Sequence, residues 1–419
     1  MQQNPQRINR QCYNRDMSTN RKQRVLHTAG TILLCLGLAA CQIAGPGVPA
    51  ADDTSAGIQA NDRTSSFTFT GVGDNLLHDT LFVYHEQDTG NRDYSGMYSE
   101  VTPYFQNSDI AYINFETPCA GDAFGLSGYP SFNGPLEMID TLAGMGLNWF
   151  STCSNHSMDA GADGLLAEMA YINEKYPGIF YTGTYPDAGS QTMPAVMDVN
   201  GIKVGLASFT YGLNGYTLPE DKPWLVNVFV KNEETGEVDY ALMDKILDPL
   251  TAASDVQIVS MHWGVEYQNQ PSDMQKQVAA YLHKKGVEAV IGSHPHVIQP
   301  AELLESEDQQ TLVYYSLGNF ISGQDQNCTM VGGMAQFTID YDFDTKRATI
   351  VDPSFTPTVT WISPDLRRYN TQLFRDYTDE EAATQYVTVV QGQDCTRAYV
   401  RDYVTQVMGK PENIQIVLD

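Results

Sequence analysis

Short apolar runs alternate with longer amphipathic segments from residue 66 onward, and this pattern predicts an α/β domain. The short runs are rich in β-branched and aromatic residues, which favours strands. We predict strands at residues 67–72, 110–115, 147–152, 256–261, 288–292 and 312–317. We predict helices at residues 97–105, 136–145, 162–176, 241–252 and 274–285.

Turn signals and the C-terminal pattern complete the outline of the domain. Asn200-Gly201 lies between two alternating apolar runs, which predicts a two-residue β-hairpin. A second hairpin is predicted around residues 342–346, and residues 379–409 are predicted to form two helices. The main domain is therefore expected at residues 66–325, with a hairpin and a small helical extension at 326–419 that complete or flank it.

The N-terminal region has the pattern of an export signal. Six basic residues occur in the first 24 positions, followed by an apolar run of 16 residues at 25–40, which is short for a membrane-spanning helix of about 20. The run ends in Leu38-Ala39-Ala40-Cys41, which resembles the lipobox of bacterial lipoproteins. Residues 1–40 are expected to be a lipoprotein signal peptide, Cys41 the lipidated residue and 41–65 a flexible tether. An uncleaved anchor with an incidental cysteine is the alternative.

The net charge of the chain argues against some classes of partner. The 419 residues include 24 Lys and Arg against 51 Asp and Glu, a formal charge of −27. Because nucleic acids need a basic face, this balance argues against a nucleic-acid partner. Beyond the basic leader, 18 basic and 50 acidic side chains give −32. Four cysteines follow Cys41 and form either up to two bridges or free buried thiols: Cys119, Cys153, Cys328 and Cys395.

Polar side chains follow all six predicted strands, at the edge where open α/β sheets bind ligands. Five of the eight histidines stand at these strand ends: His78, His156, His262, His294 and His296. Asp74, Asn114, Glu116, Asn155 and Asn319 occupy similar positions. Imidazole with carboxylate and amide oxygens suits divalent Mn, Fe or Zn, and a pair of such ions activates water and clamps an oxyanion.

Six segments resemble the poly-γ-glutamate capsule biosynthesis (CapA-type) proteins, a family similar to the calcineurin-like metallophosphoesterases. They are Asp74, Asn114-x-Glu116, Asn155-His156, His262-Trp263-Gly264-x-Glu266-Tyr267, Gly292-Ser293-His294-Pro295-His296 and Tyr315-Ser316-Leu317-Gly318-Asn319-Phe320. The resemblance extends from about residue 66 to 320. It implies a metallophosphatase-like sandwich of two mixed β-sheets flanked by helices, with a site for two divalent metal ions.

The resemblance also implies a role for each matching residue. Asp74 and His296 would bind the first metal ion; Asn155, His262 and His294 would bind the second; Glu116 would bridge them. His156 would act on the leaving group as the catalytic residue. His78 is either a ligand or a helix-face residue. Asn114, Glu266 and Asn319 are possible site residues, and Asp159 and Asp163 are expected to cap the following helix.

Two function classes follow from this interpretation. One is a metal-dependent hydrolase or transferase that acts on an amide or phosphoester of an envelope polymer, poly-γ-glutamate or another. The other is a non-catalytic component that retains or exports the polymer within a capsule assembly complex. Both place the protein outside the cytoplasm on a lipid anchor, with capsule-synthesis membrane proteins as possible partners. A polar-aromatic stretch at 210–239 is expected to border the site and hold the polymer.

Overall fold

Two mixed β-sheets pack against each other in the computed structural model, which describes residues 63–419. The strands are, in chain order, β1 (Thr64–Leu76), β2 (Ile110–Asn114), β3 (Trp149–Ser151), β4 (Phe180–Thr182), β5 (Ala195–Val199), β6 (Ile202–Thr210), β7 (Val230–Asn232), β8 (Glu237–Val238), β9 (Val256–His262), β10 (Ala289–Ser293), β11 (Ala301–Glu305), β12 (Gln310–Tyr314), β13 (Asn319–Ser322), β14 (Val331–Asp342), β15 (Arg347–Ile362), β16 (Tyr369–Leu373) and β17 (Gln415–Ile416).

The α-helices lie between and after these strands. They are α1 (Asp79–Thr89), α2 (Thr102–Gln106), α3 (Glu137–Gly144), α4 (Gly161–Lys175), α5 (Ala188–Thr192), α6 (Tyr240–Ala253), α7 (Asp273–Lys284), α8 (Asp379–Thr384), α9 (Tyr386–Val389) and α10 (Arg397–Met408). None of the helices within residues 63–419 is long and apolar enough to cross a membrane.

The first sheet has the strand order β16-β15-β14-β1-β2-β3-β4, with β13 beside β1 and β17 beside β15. Its strands β1 to β4 run parallel, whereas β14, β15 and β16 pair antiparallel. The second sheet has the order β11-β12-β10-β9-β6-β5, and its central strands are parallel. The carboxyl ends of the parallel strands carry the polar residues singled out above. The predicted sandwich of two mixed sheets flanked by helices is confirmed.

Apolar side chains from both sheets form the core between them. Phe69 and Trp149 contribute from the first sheet, and Ile258, Ile291 and Leu312 contribute from the second. Each is at most 1% exposed, and full burial of such a side chain contributes about 1.5–3 kcal/mol. Because this core holds the two sheets together, the loops at their strand ends have a rigid base.

Helices cover the outer faces of both sheets. Phe82 of α1 and Met138 of α3 pack on the first sheet. Met243 of α6 and Leu282 of α7 pack on the second. Residues 326–419 do not form a separate unit, since β14 pairs with β1 along nine residues and α10 packs in the same core as both sheets.

Both predicted hairpins are confirmed. Asn200 and Gly201 connect β5 to β6, and residues 343–346 connect β14 to β15. The predicted helix at 97–105 is wrong: a 3₁₀ turn at Ser95–Met97 is followed by α2, in which Pro103 lies in the first turn, where proline is compatible with a helix. The chain also forms α1, which was not predicted, and three helices rather than two at 379–409.

Several predictions concern the N-terminal region. The signal peptide at 1–40 and Cys41 lie outside the described residues. The tether was predicted to extend to residue 65, but β1 already begins at Thr64, which pairs with Asp342 of β14. Three of the four remaining cysteines, Cys119, Cys153 and Cys395, are free and buried.

Candidate metal centre

Strand ends of the two sheets bring the predicted ligands together. Asp74 lies near the end of β1, and its backbone N–H donates to Gly318 O at 2.9 Å. His262 is the last residue of β9, and His294 directly follows the last residue of β10. Parallel strands end at the same edge of a sheet, so these side chains converge because of the topology. Glu116 follows β2 by two residues and points between them.

One group of possible ligands consists of Asp74, Glu116 and His296, whose ligand atoms lie within 4.8 Å of one another. Nδ1 of His296 is 3.1 Å from Oδ2 of Asp74, and its Nε2 is 3.7 Å from Oε1 of Glu116. Asn114 Nδ2 and the His294 backbone N–H donate to Oδ1 of Asp74 at 2.9 and 3.2 Å. These bonds fix the Asp74 carboxylate beside the two other possible ligands.

A second group consists of Glu116, His262 and His294, again within 4.8 Å. Nε2 of His262 is 3.8 Å from Oε1 of Glu116 and 2.8 Å from Oδ1 of Asn155. Its Nδ1 is 3.1 Å from Ser293 Oγ, a contact that orients the ring. Glu116 therefore belongs to both groups, in the position that the resemblance implies for a bridging carboxylate.

The segment His294-Pro295-His296 has an unusual backbone. His294 has φ 95° and His296 has φ 58°, both in the left-handed region that side chains rarely adopt. Such a conformation costs about 1–3 kcal/mol per residue, and where it occurs at a functional site it helps to aim the side chain. Gly292 supports the segment, because a Cβ there would lie 2.0 Å from Tyr315 O. The two rings lie 5.9 Å apart and face the same centre.

Four buried polar atoms at this centre have no hydrogen-bond partner within residues 63–419. They are Oε1 of Glu116, Nδ1 of His294, Oδ1 of Asn114 and Oδ1 of Asp159. An unpartnered buried polar atom is costly, so such atoms call for a ligand. Imidazole nitrogens with carboxylate and amide oxygens, and no thiolate, form a donor set for a divalent transition metal. The residues present therefore fit the predicted metal ions.

Burial shifts the protonation of these groups. Burial raises the pKa of Glu116 well above its usual range, and the carboxylate of Asp74 adds to this, while His296 opposes it. Burial lowers the pKa of His262 and of His294 well below the ordinary value, which leaves both imidazoles neutral and able to bind a metal. For His296, burial lowers the pKa, but Glu116 and the Asp74 hydrogen bond outweigh it and raise the pKa to about 10.

His156 lies beside the second group and has its own partner. Its Nδ1 is 2.7 Å from Oδ2 of Asp159, and the same oxygen accepts the Phe132 backbone N–H at 2.7 Å. Phe132 also packs edge-on against the imidazole, with the ring centroids 4.7 Å apart. The predicted capping role of Asp159 is wrong: α4 is preceded by Ala160, which makes no side-chain cap, and Asp159 binds His156 instead.

The four possible site residues occupy different places. Asn114 and Asn319 contact ligands directly: Asn114 donates to Asp74, and Oδ1 of Asn319 is 3.1 Å from Nδ1 of His296. Glu266 is half-buried, and its carboxylate groups with His294 and His296 within 4.8 Å. His78 is in none of the ligand groups found among residues 63–419; its Nδ1 accepts the Gly323 N–H at 3.1 Å, and burial lowers its pKa to about 4.

Asp159 and Asn214 contact residues of the site, but neither contact was predicted from the sequence. Asp159 was assigned to a helix cap because it lies just before α4. Asn214 was not singled out, although its Oδ1 accepts Asn155 Nδ2 at 3.1 Å. The signal for Asn214 was present, since Asn214-Gly215 is the same turn dipeptide as Asn200-Gly201.

Two capsule-related proteins are similar to this chain in sequence. Two relatives are each 26% identical: the PGA biosynthesis protein CapA of Bacillus subtilis (strain 168), over 264 residues and 61% of this chain, and the capsule biosynthesis protein CapA of Bacillus anthracis, over 285 residues and 66%. The chain spans 64% of the length of each relative.

Solved structures were compared as well. A novel phosphatase of Mycoplasma pneumoniae has a TM-score of 0.43 at 14% identity, covering 71% of this chain and 94% of its own. A hypothetical protein of Thermus thermophilus has a TM-score of 0.41 at 14% identity, covering 69% and 99%. The profile of the bacterial capsule synthesis protein PGA_cap matches residues 68–324, which include every residue of the centre described above. The chain therefore belongs to the bacterial capsule synthesis protein family PGA_cap.

Proposed function

We propose that this protein is a dinuclear metal-dependent hydrolase that cleaves a bond in a capsule or envelope polymer. The observation that carries the proposal is the position of Glu116. Its carboxylate belongs to two ligand groups, one with Asp74 and His296 and one with His262 and His294. A carboxylate shared in this way would hold both ions of a pair. When bound, such a pair lowers the pKa of an attacking water and stabilises the developing oxyanion.

The chain's own residues supply the remaining step. Nδ1 of His156 donates to Asp159, which holds the ring and leaves Nε2 to exchange a proton with the leaving group. Asp159 sets the orientation and tautomer of the ring, as a buried carboxylate does in other histidine pairs.

The bond that we propose as the substrate is an amide linkage of the polymer. The Bacillus subtilis relative is named for PGA biosynthesis, and units of a γ-glutamyl polymer are joined by amides. A pair of divalent ions serves peptidases as well as phosphatases, so the centre suits this bond. Because the chain has a net charge of −27, an acidic polymer would depend on the metal ions for its attraction to the site.

The location of the protein is part of the same proposal. A lipid on Cys41 would hold the catalytic domain at the outer face of the cytoplasmic membrane, where a growing capsule polymer and its membrane-bound synthesis proteins are found. The tether after Cys41 would give the domain reach along the polymer.

The test compares hydrolysis with metal content in one variant. His156→Ala should keep its bound metal, measured by elemental analysis, and lose about 10²–10⁴-fold in hydrolysis of a γ-glutamyl amide. His283→Ala, on the outer helix α7, is the matched control and should behave like wild type. If the wild-type protein binds metal but cleaves neither amides nor phosphodiesters, the hydrolase proposal fails. A non-catalytic role in retaining the polymer would then replace it.

A further inference from the structure

A tight turn at residues 213–216 reaches into the metal centre from the second sheet. The Tyr216 N–H donates to Leu213 O at 2.9 Å, and the two central residues, Asn214 and Gly215, have φ of 52° and 78°. Positive φ at both central residues defines a type I′ turn, for which Asn-Gly is the preferred dipeptide. The turn therefore presents the Asn214 side chain from a defined backbone.

The Glu233 carboxylate holds this turn in place. Its Oε1 accepts the Leu213 N–H at 2.6 Å, and its Oε2 accepts the Gly215 N–H at 3.4 Å. Gly212 makes the contact possible, because a Cβ there would lie 2.5 Å from Cδ of Glu233. The Leu213 side chain is 3% exposed and packs with Cys153, next to the segment that carries Asn155.

The turn touches a predicted metal ligand through one hydrogen bond. Oδ1 of Asn214 accepts Nδ2 of Asn155 at 3.1 Å, while Oδ1 of Asn155 lies 2.8 Å from Nε2 of His262. A side-chain amide binds a cation only through its oxygen. A partner that accepts a hydrogen bond from the amide nitrogen therefore fixes which end faces the metal. Asn214 also lies 3.4 Å from Nδ1 of His156, but that nitrogen already bonds to Asp159.

We propose that Asn214 is a positioning residue that orients the Asn155 amide towards the second metal ion, with Glu233 as the clamp that holds the turn. The inference rests on the metal centre of the proposed function, but it makes no use of hydrolysis. It assigns a task to the 210–239 segment other than polymer binding. It also accounts for the position of Asn214, which has positive φ and contacts Asn155.

The test measures Mn²⁺ binding to the metal-free protein by isothermal titration calorimetry. Asn214→Gly removes the side chain and keeps the backbone conformation, since glycine adopts positive φ freely. One of the two binding events should weaken about 10–100-fold, the usual effect of losing a group that orients a ligand. The other event, which uses Asp74 and His296, should stay within about twofold of wild type.

The chain supplies a matched control. Asn200→Gly makes the same change at an Asn-Gly turn with φ 55°, in the β5–β6 hairpin, and should leave both Mn²⁺ affinities unchanged. Glu233→Ala should weaken the same event as Asn214→Gly, and Glu233→Gln, which keeps an oxygen for the Leu213 N–H, should restore most of the affinity. Because glycine keeps the turn, weaker binding in Asn214→Gly reports the loss of the side chain and not the loss of the turn.

Each outcome has a distinct meaning. Equal affinities in wild type and Asn214→Gly overturn the positioning role and leave the hydrolase proposal intact. Weakened binding in Asn214→Gly together with no hydrolysis by wild type supports the positioning role and removes the hydrolase. A wild-type protein that binds no Mn²⁺, and no Zn²⁺ in a parallel titration, overturns both.

Discussion

Oδ2 of Asp159 accepts hydrogen bonds from both Nδ1 of His156 and the backbone of Phe132, each at 2.7 Å. Asp159 is therefore fixed by the main chain while it fixes the imidazole. The carboxylate is nearly inaccessible, with its side chain 1% exposed. A carboxylate placed so rigidly sets the orientation and tautomer of the imidazole that would transfer a proton.

We expect Asp159→Ala to reduce kcat about 10²-fold without loss of metal, because the His156 ring loses the partner that sets its orientation and tautomer. Asp159→Asn keeps an acceptor oxygen and should lose less. Asp163→Ala, an exposed change in the first turn of the same helix α4, serves as the control. Steady-state kinetics measures the loss of activity, and elemental analysis measures the metal content. If Asp159→Ala loses metal to the same extent as activity, the role of Asp159 is not confined to His156.

Glu116→Gln should be at least as stable as wild type without metal and less stable than wild type with metal. Without metal, burial and the neighbouring carboxylates disfavour the charge of Glu116, so the neutral variant should melt at the same temperature as wild type or higher. With excess Mn²⁺, wild type should gain about 2.7 kcal/mol at 100 times its Kd, and the variant should gain almost nothing.

Thermal denaturation with and without a chelator measures this crossover. The Glu116→Gln variant should also show no hydrolysis. A rise in Tm of the same size in both proteins on adding Mn²⁺ would show that Glu116 does not hold the ions.

The sequence indicates which candidate ligands can meet, because they stand at or a few residues beyond the ends of strands. His262 ends β9 and His294 follows β10, so the predicted parallel topology alone brings them to one edge. The pairing of β14 with β1 was not predicted, since antiparallel contacts across more than 250 residues leave no local signal.

The contacts around the ligands were harder to predict. Asp159 precedes a helix, so local rules assign it to a cap, and only the backbone of the preceding loop turns it towards His156. Asn214 is 59 positions from Asn155 in the chain, and their contact depends on how the turn is clamped by Glu233. Local patterns thus indicate which residues are polar and lie at strand ends, whereas tertiary packing decides which of them meet.

Cys41→Ser should release the protein from the membrane. The lipobox-like tetrapeptide that ends in Cys41 predicts lipidation, and two or more acyl chains hold a protein firmly to a bilayer. Cell fractionation with immunoblotting measures the distribution, and Cys35→Ser, inside the apolar run, is the control. A Cys41→Ser protein that still sediments with membranes would contradict lipidation as the anchor.

Glu168 of α4 should make the fold less stable as pH rises. It is 1% exposed, its carboxylate accepts the Cys119 backbone N–H, and burial raises its pKa to about 8 despite that hydrogen bond. Because the unfolded chain has the ordinary, lower pKa, the folded state holds the extra proton between about pH 4.5 and 8. Stability should therefore fall by about 1.4 kcal/mol per pH unit across that window and level off above it.

Glu168→Gln removes this dependence, since the amide stays neutral and keeps an oxygen for the Cys119 N–H. The variant should therefore gain stability over wild type at pH 8 and lose most of that advantage at pH 5. Glu174→Gln, on an exposed position of the same helix, should follow the wild-type curve. Urea denaturation at several pH values, all with chelator so that metal binding does not contribute, gives the free energies of unfolding. Parallel curves for Glu168→Gln and wild type between pH 5 and 8 would mean that Glu168 is already ionised in the fold.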